Sequence, residues 1–392
     1  SSTMFRISRF GELLKQIPRG VFDRAVEAHG ADRYRKRASC WQQLVAMMYG
    51  QLTGASSLRV LESGFNAQSN HHYHLGCGKV RRSTLAEMNA GVSSEVFSAV
   101  AEALMGQARG SLRQEGRELL RLLDSSPLKL KGRGYDEWTT GNRTRRTQGL
   151  KLHILLGFPE QAPLRAALTA PTVNDIEYGR GLPVEDGVIY VFDKGYCDYS
   201  WWWRLQCEGA RFVTRFKRNA RLEVLRSRRI AQTAKGIILK DETVRLANRH
   251  PGGGRRNPYQ APLRRIEVAR PAQPPLVLAT NDMKSAALTI AERYRARWQV
   301  ELFFKWIKQH LRIKRFLGRS ETAVRTQVFT ALITYLLVAL YAKAHQATTS
   351  LWLLMSEISA TLFQRPEVEL ERHRRWRQTQ ALRASRQMPL AY

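Results

Sequence analysis

The stretch LLRLLDSSPLKL, Leu119 to Leu130, marks where this 392-residue chain changes character. Upstream the apolar residues fall at helical spacings; here they form a strand-length run with Asp124 in its middle. A carboxylate inside an apolar strand is disfavoured unless something compensates it. Three more apolar runs follow: LKLHILLGF (150–158), LRAALTAPT (164–172) and GVIYVFDKGY (187–196). After the helical SWWWRLQCEG (200–209) comes ARFVTRFK (210–217). Four or five strands with a late helix predict an α/β or α+β core, with Asp124 in the first strand and Asp193 ending the fourth.

Upstream, the first hundred or so residues read as short helices. Pro18 opens one, Ser39 caps CWQQLVAMMYGQLTG, and Ser56 or Ser57 caps LRVLESGF. Thr84 and Glu87 have capping-box spacing, with Gly91 as a stop. Helices with Arg and Lys at their ends fit either a helix-turn-helix-like DNA module or a plain helical bundle. The segment NHHYHLGCG (70–78) crowds His with Cys, but a second flank of ligands is missing, so it reads as a turn rather than a zinc site.

Downstream, residues 218–284 read as a β-rich insertion broken by the basic loop HPGGGRRNPYQAP, which carries Arg255 and Arg256. Two helices follow, 285–313 and 322–346, then a basic tail. The expected division is 1–112 helical and DNA-binding, 113–217 first part of the core, 218–284 insertion, 285–346 last part of the core, and 347–392 a basic C-terminal region.

With 64 Lys and Arg against 33 Asp and Glu, the formal charge is +31. Such an excess repels itself in the folded state, so an anionic partner is expected. Nucleic acid leads, an anionic membrane surface is second, and a ribosomal-style role suits a shorter, less aromatic chain. Four cysteines without a CxxC suit a reducing compartment. The longest apolar run, Val328 to Ala342, falls short of the roughly 20 residues that span a bilayer. With no apolar leader at the start, the reading is a soluble cytoplasmic protein associated with the nucleoid.

The segment YRARWQVELFFKWIKQHLRI, Tyr294 to Ile313, reads as one helix, apolar over most of its circumference. A helix advances about 100° per residue, so with Tyr294 at zero Arg297 falls near about −60°, Glu301 about −20° and Lys308 about −40°. Spacing alone leaves two readings open. One is an Arg297–Glu301 salt bridge at i,i+4; the other is a Glu301 metal ligand with Tyr294, Arg297 and Lys308 on phosphates. Two aspartates in strands plus this glutamate favour acids converging on Mg²⁺ or Mn²⁺, hard ions that prefer oxygen. Paired ions suit phosphodiester chemistry.

These residues carry a resemblance. Aspartates on the first and fourth strands with an acid on a later helix resemble the ribonuclease-H-like core of Asp-Asp-Glu (DDE) transposases. Tyr-x2-Arg-x3-Glu-x6-Lys, here Tyr294, Arg297, Glu301 and Lys308, resembles the signature of the insertion-sequence-four (IS-four) family. VFDKGY and GLKLHILL are similar to that family's second-Asp motif and second strand. The similarity covers about Leu119 to Gln346, and the helical start resembles the domain preceding the core in one branch. That family carries an insertion between its second Asp and its Glu, which agrees with the strand-rich reading of 218–284.

The resemblance implies Asp124, Asp193 and Glu301 as catalytic metal ligands for Mg²⁺, with Mn²⁺ as a substitute. It implies Tyr294, Arg297 and Lys308 on the phosphates of double-stranded transposon-end DNA. It further implies hydrolysis exposing a 3′-hydroxyl, attack of that hydroxyl on target DNA, and a homodimer on DNA, in several members through a hairpin end. Some relatives place a base-stacking Trp in the insertion; none is present here, and Trp298 reads as core. Of Trp201 to Trp203, at least one is expected in the core, and His153 reads as a satisfied core histidine. Trp138 and the basic residues Arg143, Arg145 and Arg146 of the loop GRGYDEWTTGNRTRRTQG are expected to touch DNA. Rival readings are a nuclease of the same fold that cuts without joining, and a non-enzymatic basic DNA binder.

Overall fold

The computed structural model describes residues 8–113, 118–142, 147–247, 256–311, 315–364 and 378–379. Arg143, Arg145, Arg146 and Arg255 therefore lie outside the described residues, as does most of the basic tail. Two compact units are formed, 1–104 with 310–392 and 105–309.

The first unit holds helices α1 (Arg9–Lys15), α2 (Arg19–Ala28), α3 (Cys40–Thr53), α4 (Leu58–Ala67), α5 (Arg82–Gly91) and most of α6 (Glu95–Ser111). Ser39 and Ser57 each accept a hydrogen bond from the first turn of their helix. The Thr84–Glu87 capping box does not form. The α5 helix starts at Arg82, before Thr84, and has no side-chain cap. In the His-rich segment, His72 is buried, stacks on Phe65 and bonds the Phe65 carbonyl at 2.9 Å.

The second unit carries the sheet. Its strands are β1 (Leu120–Lys129), β2 (Thr140–Asn142), β3 (Thr147–Phe158), β4 (Ala162–Thr169), β5 (Ile189–Phe192) and β6 (Arg211–Arg215). Four more follow: β7 (Leu222–Ser227), β8 (Ile238–Leu246), β9 (Leu263–Arg270) and β10 (Gln273–Thr280). Helices α7 (Asp175–Gly181), α8 (Tyr199–Cys207), α9 (Ala287–Ala296) and α10 (Trp298–His310) complete it.

The order β4-β3-β1-β5-β6 joins three antiparallel strands to two parallel ones. That is a ribonuclease-H-like α/β core, as expected. Strands β5 and β6 are short and buried, as parallel strands covered on both faces must be. Trp201 and Trp202 of α8 lie in the core cluster and Trp203 packs against it, because adjacent helical residues fan out.

The β-rich insertion forms, but not as a separate body. Its last strand, β10, pairs antiparallel with β6, so β7–β10 extend the core sheet. The free edge of β6 is covered by that pairing instead of being left open.

The remaining helices, α11 (Glu321–Ala344) and α12 (Leu351–Ala360), belong by their contacts to the first unit. Expected to close the catalytic core, α11 instead packs on α3, α5, α12 and α1. Its bounds match the helix expected over 322–346 to within two residues. By length and composition it could cross a membrane, but 94% of its apolar window is buried inside the protein. Thr330 and Thr334 donate to carbonyls four residues back, which satisfies hydroxyls that would otherwise be buried unpaired.

Candidate active site

The site grows out of strand register. In the parallel pair β1–β5, Leu123 lies opposite Phe192, so the next residues, Asp124 and Asp193, come side by side. Adjacent strands are about 4.8 Å apart, which sets the scale of their separation. In the pair β5–β6, Val191 lies opposite Val213, and two residues further the same register sets Arg215 beside Asp193. Arg215 Nε is 3.2 Å from Asp193 Oδ1, and a second guanidinium nitrogen also bonds that oxygen.

Arg297 links the strand acid Asp124 to the helix acid Glu301. Arg297 donates from one nitrogen to Asp124 Oδ2 at 2.9 Å and from another to Glu301 Oε1 at 2.6 Å. The i,i+4 salt bridge therefore exists, and it is also the link between strand and helix. The segment is not one uninterrupted helix. At Arg297 the bonding tightens to i,i+3, Arg297 N–H to the Tyr294 carbonyl and Val300 N–H to Arg297's, which separates α9 from α10. Nor is α10 buried all round: Trp298 is 56% exposed and Leu302 40%. The expectation that Trp298 is core fails: the helix breaks just before it and its side chain stands exposed. Tyr294 is buried, with the Arg297 guanidinium 5.9 Å from its ring centre. Lys308 donates to Ser126 Oγ at 2.6 Å and to the Pro127 carbonyl at 3.0 Å, tying α10 to β1.

The electrostatics of the two strand acids are set first by burial and then by their hydrogen-bond partners. Burial, with lesser contributions from Glu301 and Asp193, pushes Asp124 up to about 6 despite a bond from the Ser125 N–H and the nearby Arg297. Asp193 is also partly desolvated, but hydrogen bonds from Arg215 and the Lys194 N–H outweigh that and hold it below the usual range. Three carboxylates offer the all-oxygen donor set that hard divalent cations favour. As they stand, no three His, Cys, Asp or Glu side chains among the described residues are grouped tightly enough to hold an ion. Arg297 and Arg215 supply the positive charge there. The donors thus fit such a cation in chemistry, with the guanidinia occupying its electrostatic place.

A cleft of about 870 Å³ opens beside the strand acids, lined by Asp124, Asp193, Lys194, Arg215, Lys217 and Arg218 among others. The sequence reading missed Arg215 and this basic wall, because the β5–β6 register that sets Arg215 beside Asp193 leaves no local mark. Tyr294, Arg297 and Trp298 border a second hollow, of about 620 Å³. Trp138 is half-buried and donates its indole N–H to the Gly134 carbonyl at 2.9 Å. Arg256 is exposed and lines neither hollow. His153 is fully buried, bonded through Nε2 to Thr169 and stacked on Tyr178; burial pushes it down to about 4, so it is neutral near pH 7.

A ribonuclease-H-order sheet with paired strand aspartates and a helix glutamate defines the class of DDE enzymes. The family model described as "Transposase DDE domain" matches residues 115–337, and this chain belongs to that family: it is a DDE-type transposase. A "Domain of unknown function (DUF4372)" model matches residues 6–78. The "Putative transposase y4zB" of Sinorhizobium fredii is 40% identical over 72% of this chain and 78% of its own length. The "Probable transposase for insertion sequence element IS5377" of Geobacillus stearothermophilus is 29% identical over 59% of this chain and 58% of its own. Among solved structures, a piggyBac transposase synaptic complex with hairpin DNA aligns over 90% of this chain and 77% of its own, at TM-score 0.46 and 10% identity.

Proposed function

We propose that the chain binds the double-stranded terminal inverted repeats of its own insertion sequence, cleaves their ends and joins the 3′-hydroxyls to target DNA. What supports this reading is Asp124 beside Asp193 in strand register and Arg297 bonded to both Asp124 and Glu301, next to a cleft walled by Lys194, Arg215, Lys217 and Arg218. Asp124, Asp193 and Glu301 would hold Mg²⁺, for which Mn²⁺ would substitute. Bound there, the ions would supply an activated hydroxyl and charge stabilisation for the leaving oxygen. Arg297 would exchange its carboxylate partners for phosphate oxygens, to which its fork is equally suited. Tyr294 would brace that guanidinium, and Lys308 would act as a point charge beside β1. In this reading the protein works as a homodimer on DNA, each subunit acting on the end held by its partner.

The test is a labelled duplex carrying the element's inverted repeat, incubated with Mg²⁺ and a supercoiled target. Nicked ends followed by joined product are expected. Nicking without joining would assign the nuclease reading instead. Full cleavage by Asp193→Ala or Glu301→Ala would remove the site. Binding should weaken steeply with salt, as phosphate contacts require.

A further inference from the structure

We infer that Asp175 is a positioning residue of this site, tying the chain just beyond Asp124 to the chain just beyond Asp193. The inference rests on the reading of those two aspartates as metal ligands and adds what fixes their spacing. Asp175 opens α7 and is nine-tenths buried. Opposite β1, Ser125 pairs with His153 and Pro127 with Lys151, so Ser125 and Lys151 share the sheet face that Asp124 does not.

On that face Asp175 Oδ1 accepts from Ser125 Oγ at 2.7 Å and from Lys151 Nζ at 3.0 Å. Lys151, itself buried, also donates to the Val173 carbonyl at 2.7 Å. The other Asp175 oxygen lies against Gly195, 3.4 Å from where a Cβ would stand. One carboxylate thus bonds the residue after Asp124 and stands near the second residue after Asp193.

The linkage continues to the ligands themselves. Ser125 N–H donates to Asp124 at 2.8 Å, and Lys194 N–H donates to Asp193 at 2.7 Å. Moving Ser125 or the 194–196 turn therefore moves an acid. A buried ion pair adds little stability over apolar residues of the same volume. What Asp175 supplies is direction, a fixed acceptor that pins the Ser125 hydroxyl while Lys151 holds the acceptor still.

The experiment uses the full chain and three changes: Asp175→Asn, the double change Asp175→Asn with Lys151→Met, and Ser125→Ala. Melting temperature, Mn²⁺ binding without DNA by calorimetry, and end cleavage against Mn²⁺ concentration are measured for each. The double change leaves no lone buried charge and is expected to melt like the wild type. It should nevertheless need at least about tenfold more Mn²⁺ for half-maximal binding and cleavage, as should Ser125→Ala. Wild-type Mn²⁺ dependence in a double variant that melts normally would overturn the inference. If the double variant fails to fold, Ser125→Ala decides by the same criterion. Mn²⁺ binding that survives Asp124→Asn would remove the metal-site reading and this inference with it. Binding lost in Asp124→Asn but unmoved by Ser125→Ala and by the double change would overturn the role of Asp175 alone.

Discussion

Replacing Arg297 with Ala tests the centre of the site, because that side chain holds two of the three acids. Its loss leaves Asp124 and Glu301 without their guanidinium, their side chains 20% and 35% exposed. Removing one partner from a buried pair costs about 3–5 kcal/mol. Glu301 retains water, so its share falls towards the surface range of about 0–1 kcal/mol. Asp124 is itself a fifth exposed and falls short of the full buried cost, so the whole loss is about 2–4 kcal/mol at pH 7.5. For a domain of 150–250 residues that corresponds to a melting temperature lower by roughly 5–12 °C. Asp124 already lies near 6, and without Arg297 it would be held still more firmly in its protonated form. Protonation relieves the repulsion, so the loss should shrink between pH 7.5 and 5.5. Added Mn²⁺ should then stabilise the variant more than the wild type, since no guanidinium competes; about 2.7 kcal/mol is expected at a hundredfold excess over Kd. The assay is near-UV circular dichroism melting at both pH values, with and without Mn²⁺. Unchanged melting together with an unchanged Mn²⁺ response would refute the argument that Arg297 neutralises the acids.

The remaining predictions follow from single contacts. Asp124 is held at about 6, above its ordinary value of 3.8, so the folded state keeps a proton that the unfolded state loses. Its contribution to stability is therefore most favourable below pH 4 and declines by about 3 kcal/mol as pH rises through 6. A ligand must be ionised, so cleavage at limiting Mg²⁺ should fall as pH drops below 6; a flat rate from 5.5 to 7.5 would remove Asp124 from the site. Gly149 has φ +131°, and a Cβ there would meet the Leu128 carbonyl oxygen at 2.1 Å. Gly149→Ala should cost about 3 kcal/mol in urea unfolding, and a loss under about 1 kcal/mol would contradict that packing. Lys308→Ala should reduce end cleavage by roughly tenfold, about 1.4 kcal/mol, while Mn²⁺ binding persists. Unchanged cleavage would leave Lys308 as a structural tie to Ser126.

The sequence was legible where a physical cost was visible within one segment. Asp124 and Asp193 stood out because carboxylates in apolar strands need compensation, and Ser39 and Ser57 because capping is local. The strands of 218–284 were readable from alternation and turn residues, but their pairing with β6 was not, since register between distant strands leaves no local mark. Trp298 was misread for a related reason. An uninterrupted helix puts it on an apolar flank, whereas the structure breaks the helix with i,i+3 bonds at Arg297, just before it. The Thr84–Glu87 spacing was a genuine signal that lost to an earlier helix start at Arg82. Helix α11 shows the limit most clearly. Its uniform hydrophobicity announces burial on every side but cannot say in which unit.

The same contrast explains why basic residues stand among acids that are proposed to bind metal. Three carboxylates held close with no counter-charge would repel one another and drive protonation, adding to the burial that already raises Asp124. Arg297 and Arg215 remove that penalty in the protein alone, one on Asp124 and Glu301 and one on Asp193. Both guanidinia are also suited to phosphate, so DNA that carries phosphate into the cleft would draw them away as the ions arrive. Loss of the arginine contacts and gain of metal then become coupled events, and the coupling favours an occupied site only when a substrate is present. On this argument Mn²⁺ affinity should rise when inverted-repeat DNA is bound. The rise should be lost in Arg297→Ala, whose acids are free of that guanidinium from the outset.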